Sequence, residues 1–253
     1  MLWKLRKVLQ EHSREYEVVI YDDGSTDGTR DTLAPYAEVL PLTIIGSATR
    51  VGYARALDAL VHHVTTKTRY PRRDAMIVMQ ADLTDQPDDI PELAKRFEGG
   101  ADIIVAERAM EAPMPDPVRQ LRRLSAWMAQ PASLRIVKRS FIIRAAMVSI
   151  PGVIDPFGSL RLFRLSVMRD LVKARGKLAV VENDGWAGNA ELLLRASAYA
   201  RRVEVATFAQ RYDLRPRKSR VRPWADARAL FNFSKGARSL GVRPAVAQPG
   251  RRA

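Results

Sequence analysis

The chain's length, composition and charge predict a globular protein with an anionic partner. Of its 253 residues 47% are hydrophobic, and 42 Lys and Arg against 28 Asp and Glu give a net charge of +14. The absence of cysteine excludes disulfides and thiolate metal sites, and the longest apolar runs are far too short to span a membrane. The positive charge favours nucleic acid, acidic lipid or a phosphorylated substrate as the partner.

The first informative motif is a strand that ends in two carboxylates. Residues 17–21 are mostly β-branched or aromatic, which is typical of a buried strand, and Asp22 and Asp23 follow them. Gly24 allows a sharp turn, and a helix is predicted to begin near Thr29. Ligands of open α/β sheets bind at such strand ends. A structural alternative is that the polar residues after the turn only cap the helix.

A later strand ends in the same way. The apolar residues 75–79 run towards Asp82, and a helix is predicted to open at residues 87–88. In a parallel sheet the two strand ends would lie at one edge, so Asp82 and Asp23 would be near each other. Oxygen ligands there would hold a divalent cation that bridges a diphosphate. The acids at positions 85, 88 and 89 have a simpler explanation, because acids favour helix amino termini.

Helices and strands alternate along the first half of the chain. Apolar spacing predicts helices at residues 2–12, 29–36 and 53–65, and strands at residues 39–45 and 101–106. This alternation predicts a doubly wound sheet with helices packed against it.

Four segments, in this order, resemble the family 2 inverting glycosyltransferases of GT-A fold, in particular their polyprenyl-phosphate (dolichol-phosphate) mannose or glucose synthase branch. They are residues 19–29, 52–60, 79–89 and 102–108, and residues 22–29 reproduce the family's Asp-Asp-Gly-Ser-Thr-Asp-Gly-Thr block in full. The resemblance reaches from about residue 2 to 231. It implies an α/β GT-A domain, a Rossmann-like sheet flanked by helices.

The domain is expected to span residues 1–233, with a donor half of about 1–110 and an acceptor half of about 111–233. Residues 223–233 are predicted to form a helix. Residues 234–253 are expected to be a flexible basic tail.

The resemblance implies where a nucleotide sugar binds. Asp23 would bind the nucleotide base, Asp22 would support it, and Gly52 belongs to the matching segment beside them.

The resemblance also implies a site for Mg²⁺ or Mn²⁺. Asp82 would be the principal metal ligand and a catalytic residue. Gln80, near the nucleotide sugar, replaces a family Asp, and Thr84, a further metal ligand, replaces a family Gln. With one carboxylate fewer, the diphosphate is expected to rely more on arginine.

Two basic segments resemble the acceptor side of the family. Residues 155–164 are similar to its Ser-Gly-Phe-Arg-Leu-Phe-Arg segment, which implies that Arg161 lies beside the active site. Residues 211–222 are similar to its basic loop, where bidentate guanidinium groups would grip phosphate oxygens. In this loop the implied catalytic residues are Arg217 and Arg220, and the implied acceptor or phosphate ligands are Arg215 and Ser219.

The acceptor is predicted to be a phosphate rather than a hydroxyl. Asn189 stands where hydroxyl-glycosylating members of the family carry a general base, and an amide cannot take that proton. A lipid phosphate is already ionised and needs no base.

The chain is also predicted to touch a membrane surface. The apolar spacing of residues 118–130 predicts an amphipathic helix with arginines beside its apolar face. It is either a core helix with a solvated basic face or a helix lying in a lipid surface. The predicted location is cytoplasmic, peripheral on the inner face of the plasma membrane.

Members of the family open with a strand ending in a Pro-x-Tyr-Asn-Glu-like turn, before the helix that residues 1–12 resemble. No such strand is present in this sequence. A longer chain upstream is expected, since loss of a central strand would leave the neighbouring strand edges unpaired.

These patterns predict a metal-assisted inverting transfer of a sugar from a nucleoside-diphosphate sugar to a polyprenyl phosphate or other lipid acceptor. One alternative is a degenerate transferase fold that binds without turnover, suggested by Gln80 and the missing strand. The other is a nucleic-acid-binding protein, which is disfavoured because the arginines are not interleaved with exposed aromatic residues.

Overall fold

The computed structural model describes residues 1–12, 14–109, 114–129, 150–214, 222–237 and 240. The helices are α1 (Leu2–Glu11), α2 (Thr29–Ala37), α3 (Tyr53–Lys67), α4 (Ile90–Glu98), α5 (Asp116–Ala129), α6 (Leu165–Arg175), α7 (Gly185–Ser197) and α8 (Pro223–Gly236). The strands are β1 (Val18–Asp23), β2 (Leu42–Ser47), β3 (Ala75–Val78), β4 (Ile103–Arg108), β5 (Arg161–Arg164) and β6 (Val203–Phe208), with 3₁₀ turns at Pro87–Asp89 and Tyr212–Leu214.

The strands form one parallel pair and one mixed sheet. β1 pairs with β2 in parallel, and the other four strands lie in the order β3-β5-β4-β6. β5 runs antiparallel to both β3 and β4, whereas β4 and β6 are parallel. The alternation of helices and strands is therefore as predicted, but the single parallel sheet was wrong in two respects. Among the described residues β1 and β2 form a sheet separate from that of β3, and an antiparallel strand separates β3 from β4.

The core lies on both faces of β4, whose six residues are all buried. Because side chains alternate along a strand, Ile103 and Val105 enter one apolar cluster while Ile104 and Ala106 enter the other. Helices α3, α6, α7 and α8 cover the first face, and α4 covers the second through Leu93. The helices thus flank the sheet on both sides.

The predicted helices match closely, and the strand and helix ends differ by a few residues. β2 begins at Leu42 rather than residue 39, because Val39 and Leu40 still donate their N–H groups to Tyr36 O at the end of α2. At the other end of the chain α8 continues to Gly236, and Ser234, which was expected in the flexible tail, is fully buried.

The interpretation of the helix at residues 118–130 as a lipid-surface helix was wrong for the part that the structure describes. In α5, Val118 and Leu121 are buried, and Arg122 is buried with them. Arg122 donates to the carbonyl oxygens of Arg108 and Ala109. The apolar face therefore packs inside the protein, against α8 among other elements. Within the described ranges, every helix is too short or too polar to cross a bilayer.

The turn after β1 depends on Gly24. Its φ of +65° lies in the left-handed region, and a Cβ built there would lie 2.7 Å from the carbonyl carbon of Thr49. Glycine is therefore required both for the turn and for the close approach of the loop before α3. Gly28 has a similar φ of +73° but open space around it.

We predict that Gly24→Ala destabilises the protein more than Gly28→Ala. Both substitutions place a side chain in the left-handed region, which costs about 1 kcal/mol, but only Gly24→Ala must also displace the backbone at Thr49. We therefore expect Gly24→Ala to lower the free energy of unfolding by more than about 2 kcal/mol. Urea unfolding of the two variants measures the difference. Equal losses would contradict the close approach of the two loops.

Candidate functional site

Asp22 builds the turn at the end of β1. Its side chain is 1% exposed, and its carboxylate accepts the N–H of Ser25 at 3.0 Å and Arg30 Nε at 2.6 Å. These partners, Ser25 first and then Arg30, lower the pKa of Asp22 to about 2. Asp22 therefore fixes the position of its neighbour Asp23.

Asp23 holds the loop that precedes α3. Its carboxylate accepts the N–H groups of Val51 at 2.6 Å and Gly52 at 3.1 Å, and Arg50 Nε lies 3.8 Å away. Gly52 has a φ of +94°, a conformation that L side chains rarely adopt. The structure thus brings together Asp22, Asp23 and Gly52, three of the four residues predicted to bind the nucleotide sugar.

Asp184 connects this loop to the second half of the chain. It precedes α7, and its Oδ1 accepts the N–H of Ala54 at 2.8 Å. A Cβ on Gly52 would lie 3.4 Å from the same oxygen. The amino terminus of α3 is therefore held by Asp23 from one side and by Asp184 from the other.

The predicted metal-binding residues lie in a tight loop after β3. Asp82 Oδ1 accepts the N–H of Thr84 at 3.1 Å, and Leu83 between them has a φ of +64°, which is unusual for a residue with a side chain. Thr84 is 2% exposed, and its Oγ1 is buried with no hydrogen-bond partner among the described residues.

The donor set of this loop fits a hard divalent cation. The loop offers three oxygen ligands, which are the carboxylate of Asp82, the hydroxyl of Thr84 and the side-chain amide oxygen of Gln80. The Thr84 hydroxyl has no hydrogen-bond partner among the described residues, so its oxygen is available to a cation. In the described part of the chain no three acidic or histidine side chains are placed so that they could together hold a metal ion, so substrate phosphates would have to complete the coordination.

A cavity of about 420 Å³ opens beside this loop. Carboxylates, guanidinium groups, amides, hydroxyls and aromatic rings all line it, a mixture suited to a ligand with both phosphate and sugar hydroxyl groups. Its polar and aromatic lining residues are Gln80, Thr84, Arg108, Phe157, Ser159, Asp184, Trp186, Gln210, Tyr212, Arg222 and Asp226.

Arg161, which was predicted to act in catalysis, does not line the cavity. It is 2% exposed, and its Nη2 donates to Asp155 O at 3.0 Å. Its pKa is lowered to about 10, first of all by burial. Direct contact of Arg161 with a leaving group is therefore not supported. Arg108 lines the cavity instead, with its guanidinium paired to Asp155 and lying 4.5 Å from the centre of the Trp186 ring.

Asn189 is buried and engaged at both ends of its amide. Tyr53 donates its hydroxyl to Asn189 Oδ1 at 2.5 Å, and Asn189 Nδ2 donates to Phe157 O at 3.2 Å. Asn189 is a neutral structural residue in this arrangement. On the same helix Glu191 forms an ion pair with Arg195 at 2.7 Å.

Four predicted residues, Arg215, Arg217, Ser219 and Arg220, lie outside the described residues. The sequence reasoning missed several residues that form the cavity, above all Asp184, Trp186, Gln210 and Tyr212. Asp184 and Trp186 stand at the amino terminus of α7, a position where ligand-binding groups are common, but the start of this helix was not predicted from the sequence.

Comparison with known sequences assigns the family. Residues 4–172 match the profile described as Glycosyl transferase family 2, which is well over half of the chain. The chain belongs to this family.

Two relatives are glycosyl transferases by name. The "Prophage bactoprenol glucosyl transferase homolog" of Escherichia coli is 34% identical over 106 residues, which are 42% of this chain and 32% of that protein. The "Undecaprenyl-phosphate 4-deoxy-4-formamido-L-arabinose transferase" of Pseudomonas paraeruginosa is 26% identical over 164 residues, 64% of this chain and 41% of that protein. The matched part therefore spans less than half the length of these relatives.

Solved structures agree on the fold. The mannosyltransferase PcManGT from Pyrobaculum calidifontis, in complex with GDP-Man and Mn²⁺, gives a TM-score of 0.52 at 20% identity and covers 96% of this chain and 60% of its own. Glucosyl-3-phosphoglycerate synthase from Mycobacterium tuberculosis, with Mn²⁺ and UDP-glucose, gives a TM-score of 0.54 at 14% identity, covering 96% of this chain and 77% of its own. The predicted GT-A type of α/β fold is confirmed.

We predict that Asp22 stabilises the protein in a pH-dependent way. The pKa of Asp22 is about 2 in the folded protein and about 4 in the unfolded chain. Its contribution to the free energy of unfolding is therefore complete above about pH 4 and is lost as the pH falls through about 2. Urea unfolding of the wild type and Asp22→Asn should differ most above pH 5 and converge towards pH 2. Asp31→Asn, which changes an exposed acid on α2, is the control. If the difference in unfolding free energy between the wild type and Asp22→Asn did not change with pH, the lowered pKa of Asp22 would be contradicted.

Proposed function

We propose that this protein transfers a sugar from a nucleoside-diphosphate sugar to a polyprenyl phosphate, in one inverting, metal-assisted step. The observation that carries the proposal is the loop after β3, in which Asp82 lies two residues before Thr84. The Thr84 hydroxyl is buried with no hydrogen-bond partner among the described residues, and both Gln80 and Thr84 line the cavity. The names of the two relatives refer to bactoprenol and to undecaprenyl phosphate, and this supports a polyprenyl phosphate as the acceptor.

The cation would be Mg²⁺ or Mn²⁺, in line with the Mn²⁺ complexes of the two structural relatives. When bound, it supplies a Lewis acid that neutralises charge on the diphosphate as the glycosidic bond breaks. Asp82 and Thr84 would hold it, with Gln80 close to the sugar nucleotide. Asp23 would meet the nucleotide base, and Asp22 and Gly52 would keep Asp23 and its loop in position.

The acceptor would react without a general base. A phosphate oxygen attacks the anomeric carbon, the bond from that carbon to the diphosphate breaks, and the configuration inverts. Asn189, buried between Tyr53 and Phe157, has no proton-accepting group to offer a hydroxyl acceptor. The basic loop that carries Arg215, Arg217, Ser219 and Arg220 would grip the phosphates, as the resemblance implies.

Contact with an anionic membrane surface follows from the acceptor. Trp224, at the start of α8, is 90% exposed, and neighbouring residues of the same helix line the cavity. Arg222 and Arg228, two and four residues from Trp224 in the sequence, are exposed, and so is Arg123 on the adjacent helix α5. An exposed tryptophan among arginines suits the interface between lipid headgroups and water. This arrangement would place the protein at the cytoplasmic face of the plasma membrane.

We predict that Asp82→Ala abolishes Mn²⁺-dependent transfer. Loss of the only carboxylate ligand of the loop should lower the rate of transfer from UDP- or GDP-sugars to undecaprenyl phosphate at least about 100-fold. Asp170→Ala, at an exposed acid on α6, should leave the rate unchanged. Binding of the sugar nucleotide with no turnover in any of the three proteins would instead support a degenerate transferase.

We also predict that Trp224→Ala weakens binding to vesicles that contain phosphatidylglycerol. Loss of about 1 kcal/mol of interfacial burial should raise the dissociation constant about fivefold in a sedimentation assay. Trp3 on α1 is 67% exposed, so Trp3→Ala is a matched control that should bind as the wild type does. Equal weakening by both substitutions would contradict a membrane face at α8.

A further inference from the structure

One buried carboxylate lies directly behind the cavity and serves none of the roles described so far. Asp85 follows Thr84 and is 2% exposed. Its Oδ2 accepts the N–H of Gln80 at 3.0 Å and the hydroxyl of Ser159 at 2.7 Å, and its Oδ1 accepts Gln210 Nε2 at 2.9 Å. These donors come from the end of β3, the segment before β5 and the segment after β6.

The three partners of Asp85 all line the cavity. Gln80, Ser159 and Gln210 are wall residues, and Tyr212, a fourth, donates its hydroxyl to Gln210 Oε1 at 2.8 Å. The backbone N–H of Gln80 and the side-chain NH₂ group of Gln210 can only donate, so they need the acceptor oxygens that a carboxylate provides. The side chain of Asp85 therefore holds three cavity-lining residues in place, and each of them lies next to a different strand of the mixed sheet.

Asp85 also closes the loop that contains the metal-binding residues. Its bond to the N–H of Gln80 joins the two ends of the segment that includes Asp82 and Thr84. Within that segment Leu83 has a φ of +64°, a conformation that is unfavourable for a residue with a side chain and persists only where the surroundings enforce it. The N–H of Arg211, next to Gln210, donates to Thr84 O at 3.2 Å and ties the loop to the same wall.

We propose that Asp85 is a positioning residue, which holds the loop from Gln80 to Thr84 and the adjoining cavity wall in the geometry that binds a divalent cation. It touches neither the cation nor the substrate and acts through the residues that do. The inference rests on the proposed function in taking Asp82 and Thr84 as metal ligands.

Asp85→Asn is the direct test, because an amide has the shape of the carboxylate but only one acceptor oxygen. That oxygen can still accept from Gln80 and Ser159, while the new NH₂ group would face the NH₂ group of Gln210. Loss of a group that orients metal ligands typically costs 10- to 100-fold in affinity, so we expect the Mn²⁺ dissociation constant to rise at least about tenfold. Titration of nucleotide-free protein by electron paramagnetic resonance, well below the unfolding temperature, measures it.

Asp102→Asn is the matched control for simple destabilisation. Asp102 precedes β4 at the edge of the sheet away from the cavity, and its carboxylate pairs with Arg164 at 2.7 Å and with the N–H of Arg201 at 2.8 Å. This variant should lose thermal stability while keeping the Mn²⁺ affinity of the wild type. Ser159→Ala removes one donor to Asp85 without removing the charge, and it should weaken Mn²⁺ binding about threefold even if Asp85→Asn does not fold.

The outcomes separate this inference from the proposed function. Unchanged Mn²⁺ affinity in folded Asp85→Asn, or in Ser159→Ala if Asp85→Asn does not fold, would overturn the inference even when the wild type transfers sugar. Weakened Mn²⁺ binding in the tested variant, with no transfer by the wild type, would support the inference and overturn the proposed function. A wild type that binds no Mn²⁺ would overturn both.

Discussion

Hydrogen bonds from backbone N–H groups to carboxylates hold the described loops of the candidate site in place. The pairs are Asp22 with Ser25, Asp23 with Val51 and Gly52, Asp82 with Thr84, Asp85 with Gln80, and Asp184 with Ala54. Where a strand ends, its N–H groups lose their partners in the sheet, and burying one unpaired costs about 1–3 kcal/mol. A carboxylate satisfies several donors at once through charge-assisted bonds. The acid-rich motifs therefore hold the loops in place, whether or not they also bind a ligand.

The sequence predicted what depends on local spacing. Apolar periodicity located α1, α2, α3 and the strands that end near Asp23 and before Asp82, because the 3.6- and two-residue repeats are properties of a short stretch. The antiparallel position of β5 depends on pairing with strands far away in the chain, and no local repeat records it. The role of Asp85 was also hidden, because its partners Ser159 and Gln210 lie 74 and 125 residues away in the sequence. From the local sequence Asp85 was interpreted only as an acid that favours a helix amino terminus.

Periodicity also cannot say what covers an apolar face. The stripe on α5 has the same spacing whether lipid or protein covers it, and in the structure Val118 and Leu121 face the core. The exposed tryptophan at position 224, which has no periodic pattern around it, is the better candidate for lipid contact. Likewise Arg161 carries the family motif but is buried under the site rather than exposed in it.

Part of the chain's large positive charge is internal. Arg108, Arg122 and Arg161 are all buried around Asp155, and burial of guanidinium groups is tolerated only with acidic and carbonyl partners close by. These arginines stabilise the floor and walls of the cavity. Other arginines are exposed and available to an anionic partner, among them Arg123 on α5 and Arg228 on α8.

The central claim is that the loop after β3 is a metal site facing the cavity. A crystal of the protein grown with Mn²⁺ and a nucleoside diphosphate, measured at the manganese absorption edge, tests it most directly. The account predicts one anomalous peak about 2.2 Å from a carboxylate oxygen of Asp82, on the side of the Thr84 hydroxyl, with diphosphate oxygens completing the coordination. A peak held by other residues, with no manganese ligand from Asp82, would contradict it.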